Sequence, residues 1–141
     1  MLRFVLTGTG VEVMGRAILV DTDVMIDYLR GRKQAIALIG KYAERIILSP
    51  IVVAELYAGV KGADEEALLD ELVSLFRIVE MTTEIARTGG LFKRDYGKSH
   101  GVSLADAIMA ASAESENAEL CTLNVKHYPM IKGLKGAYLK S

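Results

Sequence analysis

Short aliphatic runs alternate along this chain with longer segments of helical periodicity, a pattern typical of a parallel sheet covered by helices. The first run, residues 16–20, stops at Asp21, and Asp21-Thr22-Asp23 opens a predicted helix. Further runs follow at residues 45–48, 77–80 and 119–122. We therefore predict an α/β, three-layer fold. Its central, mostly parallel, twisted sheet would have about four to five strands, with helices on both faces and right-handed crossovers.

Helices are predicted between these runs from the spacing of apolar residues and from capping signals. The expected helices cover about residues 24–31, 50–59, 64–76, 83–96 and 104–113. Residues 97–101, bounded by two glycines, are expected to form a loop. Residues 137–139 are expected to add a last edge strand.

Composition points to one domain without a membrane anchor. The chain has 141 residues, 51% of them hydrophobic, which is enough for a substantial core. The net charge of -1 provides no global basic field of the kind that marks many nucleic-acid binders. Cys121 is the single cysteine, which excludes an internal disulfide and a cysteine-based zinc cluster. No apolar run approaches the roughly 20 residues of a membrane span, so we expect a soluble, cytoplasmic protein.

Residues 1–14 precede the first convincing strand and end on a second methionine, Met14. We hypothesise that Met14 is the natural start, so that the N-terminal extension over residues 1–14 is foreign up to residue 13, and that residues 15–141 form a single domain. The Gly8-Thr9-Gly10 segment receives little weight as a phosphate loop, because no firm strand is predicted before it.

Three acidic residues fall at predicted strand ends or adjoining helix starts: Asp21, Glu55 and Asp106. The carboxyl ends of parallel strands share one edge of a sheet, so the three are expected to converge there. Glu55 and Asp106 have mostly apolar sequence neighbours, and buried carboxylates are costly unless they are paired, protonated or bound to a cation. Oxygen ligands without cysteine suit Mg²⁺ or Mn²⁺. The pattern indicates phosphodiester hydrolysis by a metal-activated water, with one or two ions.

Each acid also has a structural explanation. Asp21 or Asp23 can cap the helix that follows, and Asp106 stands after Ser103 as the acid of a capping box does. Two further polar residues are expected at the solvated surface, Asp27 and His127. Four basic residues are candidate phosphate contacts, although solvated helix charges are the favoured interpretation: Arg87, Lys93, Arg94 and Lys98.

Four motifs together resemble the PIN-domain family, and most closely the VapC-type toxins of toxin–antitoxin modules. They are Val20-Asp21-Thr22-Asp23-Val24-Met25-Ile26-Asp27, Val53-Ala54-Glu55-Leu56, Leu104-Ala105-Asp106-Ala107-Ile108-Met109-Ala110 and Thr122-Leu123-Asn124-Val125-Lys126-His127-Tyr128. The resemblance runs from about Ala17 to the C-terminus, and four motifs in family order are far more specific than any one alone.

This resemblance implies an endoribonuclease in which Asp21, Glu55 and Asp106 bind Mg²⁺ or Mn²⁺. The family's fourth acidic position falls at Asn124, where relatives carry Asp or Asn. An amide can orient a water or a phosphate, but it brings no charge to a second ion. The resemblance also implies an RNA substrate, a homodimer and a cognate antitoxin that wraps the toxin and obstructs its acidic pocket.

Other functions fit parts of the pattern. Asp21-Thr22-Asp23 after a strand also suits a haloacid-dehalogenase-like phosphatase, but the later acidic pair that such an enzyme needs is missing. A housekeeping PIN nuclease for RNA processing would share the chemistry and not the antitoxin. A PIN-like interaction module would keep the acids for structure or regulation alone.

Overall fold

The computed structural model describes residues 2–7 and 10–139, with side chains from residue 15 onward. Its first two strands, β1 (Leu2–Thr7) and β2 (Gly10–Gly15), pair with each other in an antiparallel sheet of their own. The predicted extension thus ends inside β2. Gly8 and Thr9, central to the phosphate-loop hypothesis, lie outside the described residues.

The remaining strands and helices alternate along the chain. In order they are β3 (Ile18–Val20), α1 (Thr22–Leu29), α2 (Lys33–Lys41), β4 (Ile46–Leu48), α3 (Pro50–Ala58), α4 (Gly62–Ser74), β5 (Arg77–Ile78), α5 (Thr83–His100), α6 (Leu104–Ser115) and β6 (Glu119–Cys121). Short 3₁₀ turns at Ala43–Arg45 and Val125–His127 precede β4 and follow β6.

The second sheet has four strands in the order β5-β4-β3-β6, and every neighbouring pair is parallel. All three residues of β3 and all three of β4 are buried, as expected for central strands that are covered on both faces. The predicted α/β fold with a parallel sheet of four to five strands is therefore confirmed. Because β3 and β6 are neighbours, the segments that follow them meet at one edge of the sheet.

Helix α6 packs closely against α5, and small residues permit the approach. The inward side of α6 is built largely from buried alanines, among them Ala107, Ala110 and Ala111. Gly89 of α5 faces Ile108 so closely that a Cβ on Gly89 would lie 3.0 Å from Ile108 Cγ1. This packing fixes the position of α6, whose first turn carries Asp106.

Three predictions about secondary structure were wrong. Helix α2 was not predicted, although the aliphatic residues Ala35 and Ile39 form its buried face. The predicted loop at residues 97–101 is mostly helix, because α5 continues through Gly97 to His100 and ends at Gly101, whose φ is 65°. Residues 137–139 form no strand, and the backbone N–H of Ala137 makes a single hydrogen bond of 2.8 Å to the Thr122 carbonyl.

The predicted solvation of Asp27 was also wrong. The Asp27 side chain is buried in α1, where Oδ2 accepts a hydrogen bond of 2.7 Å from the Tyr138 hydroxyl and lies 3.3 Å from Arg32 Nε. Tyr138 thus anchors the C-terminal segment to the first helix.

No helix in the described part of the chain is long and apolar enough to cross a membrane.

Candidate active site

Asp21 stands where β3 ends and α1 begins. Its backbone N–H donates to the Cys121 carbonyl at 2.8 Å, which ties it to the end of β6. Oδ1 accepts a hydrogen bond of 2.8 Å from the Thr22 backbone N–H, so Asp21 does cap the helix. Oδ2 accepts two more, from Thr122 Oγ1 at 2.9 Å and from the Tyr128 hydroxyl at 2.7 Å. An ionised carboxylate has about four acceptor positions, so the remaining one lies on Oδ1.

Asp106 lies in the first turn of α6 and faces the same place. Ser103 caps that helix, accepting a hydrogen bond of 3.1 Å from the backbone N–H of Asp106. The Asp106 carboxylate has other neighbours: Oδ1 lies 3.3 Å from the Tyr128 hydroxyl, and Oδ2 lies 3.3 Å from His127 Nδ1. The Tyr128 hydroxyl oxygen is therefore within reach of both Asp21 and Asp106. His127, which was expected only at the surface, pairs with Asp106.

Glu55 is the third acid, contributed by α3. Partial burial and then the charge of Asp21 raise the pKa of Glu55, and the charge of Asp106 raises it further. These effects place the three predicted carboxylates in one electrostatic cluster. Our expectation that Glu55 is buried among apolar neighbours was wrong, because helical periodicity turns Val52 and Leu56 inward and leaves the Glu55 side chain largely exposed, with only part of it shielded from solvent.

The Thr22 hydroxyl is a buried polar group at this cluster. It lies beside Glu55 and favours the charged form of that carboxyl, which lowers the Glu55 pKa. Among the described residues, however, no atom meets the geometry of a hydrogen bond with Thr22 Oγ1. Buried hydroxyls are normally paired, so this atom is suited to a water held between the acids.

From the sequence, Asp23 was expected to cap α1 or to belong to a phosphatase motif, and the structure gives it a role in holding two segments together. Its Oδ1 accepts from the Val24 backbone N–H at 2.7 Å, and its Oδ2 accepts from the Leu123 backbone N–H at 2.9 Å and from Asn124 Nδ2 at 3.1 Å. Burial and the charge of Asp21 raise the pKa of Asp23, while the two backbone N–H groups lower it. Asp23 thus fastens the loop after β6 to the start of α1 and holds the Asn124 amide at the edge of the cluster.

Tyr128 was quoted within a family segment, and its contact with the acids was not predicted. It is 1% exposed and follows the 3₁₀ turn after β6. Burial and the charge of Asp21 raise the pKa of Tyr128 far above its usual range, so the phenol keeps its proton and donates to Asp21. The only sequence signal was its position within the motif of Thr122 and Asn124.

The donor set suits a hard divalent cation. Carboxylate oxygens, an amide oxygen and space for water are the ligands that Mg²⁺ and Mn²⁺ prefer. Within residues 2–7 and 10–139, no three His, Cys, Asp or Glu side chains are grouped so that they could hold one ion by themselves. Mg²⁺ keeps several waters and is usually bound by one or two carboxylates, so the free Oδ1 position of Asp21 and the unpaired Thr22 hydroxyl fit such an ion.

A cleft of about 450 Å³ adjoins the cluster, with Glu55 among its lining residues. It lies between α1, α3 and α4, and its lining is mainly aliphatic. Two of its leucines are strongly exposed, Leu29 at 48% and Leu68 at 65%. Arg30 and Lys61 add positive charge to the lining.

Two of the candidate phosphate contacts already have partners inside the protein. Lys93 Nζ donates to the Val102 carbonyl at 2.7 Å, and Arg94 pairs with Asp95 at 2.8 Å. Lys93 therefore fastens α5 to the segment before α6, and we assign neither residue to a substrate.

Comparison with known proteins places this geometry in a family. The family model of the PIN domain matches residues 18–128. The chain is 38% identical over 124 residues to Ribonuclease VapC19 of Mycobacterium tuberculosis strain H37Rv, covering 85% of this chain and 98% of that protein. Ribonuclease VapC10 of the same strain is 36% identical over 121 residues, covering 84% and 90%. A solved toxin–antitoxin complex from Klebsiella pneumoniae contains a chain that matches with a TM-score of 0.75 and 27% identity, covering 86% of this chain and 98% of that one. The chain belongs to the PIN-domain family.

Proposed function

We propose that this protein is a metal-dependent endoribonuclease that hydrolyses RNA phosphodiester bonds. The proposal is supported by the contact of Asp21 and Asp106 with one Tyr128 hydroxyl and by the electrostatic influence of both acids on Glu55. The family and the ribonuclease names of two relatives support the same chemistry. The phosphatase alternative is set aside, since Asp23 is engaged in holding the loop after β6.

Each residue of the site has a defined task in this proposal. Asp21, Glu55 and Asp106 would bind Mg²⁺ or Mn²⁺, which supplies a nucleophilic water of lowered pKa and neutralises charge on the phosphate. Thr122 fixes the orientation of Asp21 through its hydroxyl. The Asn124 amide, held by Asp23, is placed to orient a water or a phosphate oxygen.

Electrostatics explain why a cation is needed. Partial burial, and then repulsion from the Asp21 and Asp106 carboxylates, raise the pKa of Glu55. An RNA phosphate brings a further negative charge, so the cluster without a cation would repel its substrate. A divalent ion held by Asp21, Glu55 and Asp106 would offset this repulsion.

The most direct test is the cleavage of total cellular RNA by the purified protein with Mg²⁺ or Mn²⁺ and with EDTA. We expect cleavage only with metal, and a loss of at least about 100-fold in Asp21→Ala and Glu55→Gln, because each removes charge from the site. Glu66→Gln makes the same chemical change on the exposed side of α4 and is expected to keep full activity. Equal activity of Glu55→Gln and Glu66→Gln would refute the role of Glu55.

We further propose that the nuclease is the toxin of a type II toxin–antitoxin pair, acts as a homodimer and binds a cognate antitoxin. Support comes from the solved relative, which is itself a toxin–antitoxin complex. The cleft between α1, α3 and α4 offers exposed leucines beside Glu55, which suits an apolar segment of a partner that obstructs the acids.

The antitoxin proposal predicts a stoichiometric complex when the protein is expressed with the small gene beside its own. Leu68→Asp should release the partner, because a charge replaces an exposed apolar side chain in the cleft. The matched control, Leu75→Asp, changes a leucine that is outside the cleft lining and 76% exposed, and should leave the complex intact. Growth arrest on expression without the partner gene would favour a toxin, and unimpaired growth would favour a housekeeping PIN nuclease.

We also propose that translation starts at Met14, so that residues 1–13 are foreign to the native protein and residues 15–141 form its nuclease domain. The intact mass of the endogenous protein tests this, and a mass that includes residues 1–13 would contradict it. A protein that binds neither metal nor RNA would instead be a PIN-like interaction module.

A further inference from the structure

We propose that Tyr128 is a positioning residue of this nuclease, whose hydroxyl bridges Asp21 and Asp106 and holds both carboxylates ready for the cation. The inference rests on the proposed function. The Tyr128 hydroxyl is uncharged and would act on the cation only through Asp21 and Asp106, the two acids that it contacts.

The contacts of Tyr128 link two separate elements. Its hydroxyl donates to Asp21 Oδ2 at 2.7 Å, at the end of β3, and lies 3.3 Å from Asp106 Oδ1, at the start of α6. A phenol has one proton, and the shorter contact identifies Asp21 as its main acceptor. The ring is part of the buried core, which fixes the hydroxyl between the two acids.

A buried tyrosine needs one partner for its hydroxyl, and Tyr128 has two. The Thr122 hydroxyl also bonds to Asp21 and approaches Asp23 at 3.4 Å, on the side of the loop after β6. Among the described hydrogen bonds, those of Tyr128 are the ones that join Asp21 to Asp106. The Tyr128 hydroxyl also offsets the repulsion between the Asp21 and Asp106 carboxylates when no cation is bound.

The bridge determines which oxygen of Asp21 is available. Because Oδ2 already accepts from Tyr128 and Thr122, and Oδ1 accepts once from the Thr22 backbone, the free acceptor position is on Oδ1. Without the phenol hydroxyl, Asp21 has a second free position and the Asp106 carboxylate loses one of its two contacts. Loss of a hydrogen bond that orients a metal ligand typically lowers metal affinity by about 10- to 100-fold.

The test compares two tyrosine-to-phenylalanine variants by Mn²⁺ titration, with free Mn²⁺ followed by electron paramagnetic resonance. Tyr128→Phe keeps the ring and removes the bridge. Tyr138→Phe is the matched control, since Tyr138 also donates to a buried carboxylate at 2.7 Å, that of Asp27 on α1. We expect the Kd for Mn²⁺ to rise about 10-fold or more in Tyr128→Phe and to stay at the wild-type value in Tyr138→Phe.

Each outcome bears on a definite claim. An unchanged Kd in folded Tyr128→Phe, or an equal rise in both variants, would overturn the bridge while leaving the proposed nuclease intact. Wild-type protein that binds no Mn²⁺ would overturn the metal-dependent nuclease and the bridge with it. Should Tyr128→Phe fail to fold, proton NMR of the wild type decides: a phenolic proton protected from exchange and shifted by Mg²⁺ supports the bridge, and a freely exchanging one overturns it.

Discussion

Asp21 caps a helix and belongs to the acidic cluster at the same time. One oxygen accepts from the Thr22 backbone, and the other accepts from two hydroxyls, Thr122 and Tyr128. The two roles considered from the sequence, capping the helix and joining an acidic site, are therefore compatible in one residue. The charge of Asp21 also affects its acidic neighbours, because burial and then this charge raise the pKa of both Asp23 and Glu55.

The raised pKa values predict how stability depends on pH. A pKa that is higher in the folded protein than in the unfolded chain means that folding favours the protonated acid. The contribution of Glu55 to stability is therefore complete below its ordinary pKa of 4.5 and is lost as the pH rises through its folded pKa. Asp23 behaves in the same way from its ordinary pKa of 3.8 upward.

We predict that Glu55→Gln stabilises the metal-free protein at neutral pH and flattens the dependence of its stability on pH. The amide removes the repulsion from Asp21 and Asp106 without changing the size of the side chain. Urea unfolding in EDTA, from about pH 4.5 to about pH 7, measures the effect, with Glu66→Gln as the control. A Glu55→Gln variant less stable than wild type at neutral pH would refute the repulsion.

Among the secondary-structure elements, the packing of α5 against α6 determines the position of Asp106. Gly89 is buried against Ile108, and an added Cβ would lie 3.0 Å from Ile108 Cγ1 and 3.2 Å from its Cα. The next residue, Gly90, is exposed, and a Cβ added there would meet nothing within 4 Å. Of these two adjacent glycines in α5, only Gly89 has to lack a side chain for the helices to pack as they do.

We predict opposite effects for the two alanine substitutions. Gly89→Ala should lower the free energy of unfolding by about 1–3 kcal/mol, because the methyl group pushes against the backbone of α6. Gly90→Ala should raise it by up to about 1 kcal/mol through helix propensity. Chemical denaturation of both variants decides, and a Gly89→Ala protein as stable as Gly90→Ala would contradict the close packing of α5 and α6.

Most strands and helices could be predicted from periodicity and capping residues, and the errors have specific physical causes. Gly97 favoured a loop, but a glycine inside a helix costs only about 1 kcal/mol and does not by itself end the helix. The predicted edge strand at residues 137–139 contains aliphatic and aromatic residues, yet Tyr138 is held by a side-chain bond to Asp27. A long-range contact of this kind leaves no periodic signal in the sequence.

At the scale of the whole molecule, the parallel strand order determines the site. Because β6 lies beside β3, the loop after β6 brings Thr122, Asn124 and Tyr128 to the acids that follow β3. Asp21 and Asp106 could be chosen from the sequence because they stand at a strand end and a helix start, and Glu55 because it is a lone acid among apolar residues of α3. The bridging role of Tyr128 and the structural role of Asp23 depend on this pairing of strands, which aliphatic runs alone do not specify.

The end groups of the RNA fragments test the central claim most directly, because they report which nucleophile attacked the phosphate. RNA cut by the purified protein with Mg²⁺ is expected to carry linear phosphate and hydroxyl ends, as hydrolysis by a metal-activated water produces. Fragments with 2′,3′-cyclic phosphates, or cleavage that persists in EDTA and in Asp106→Asn, would show attack by the 2′-hydroxyl and contradict a metal-dependent acidic site.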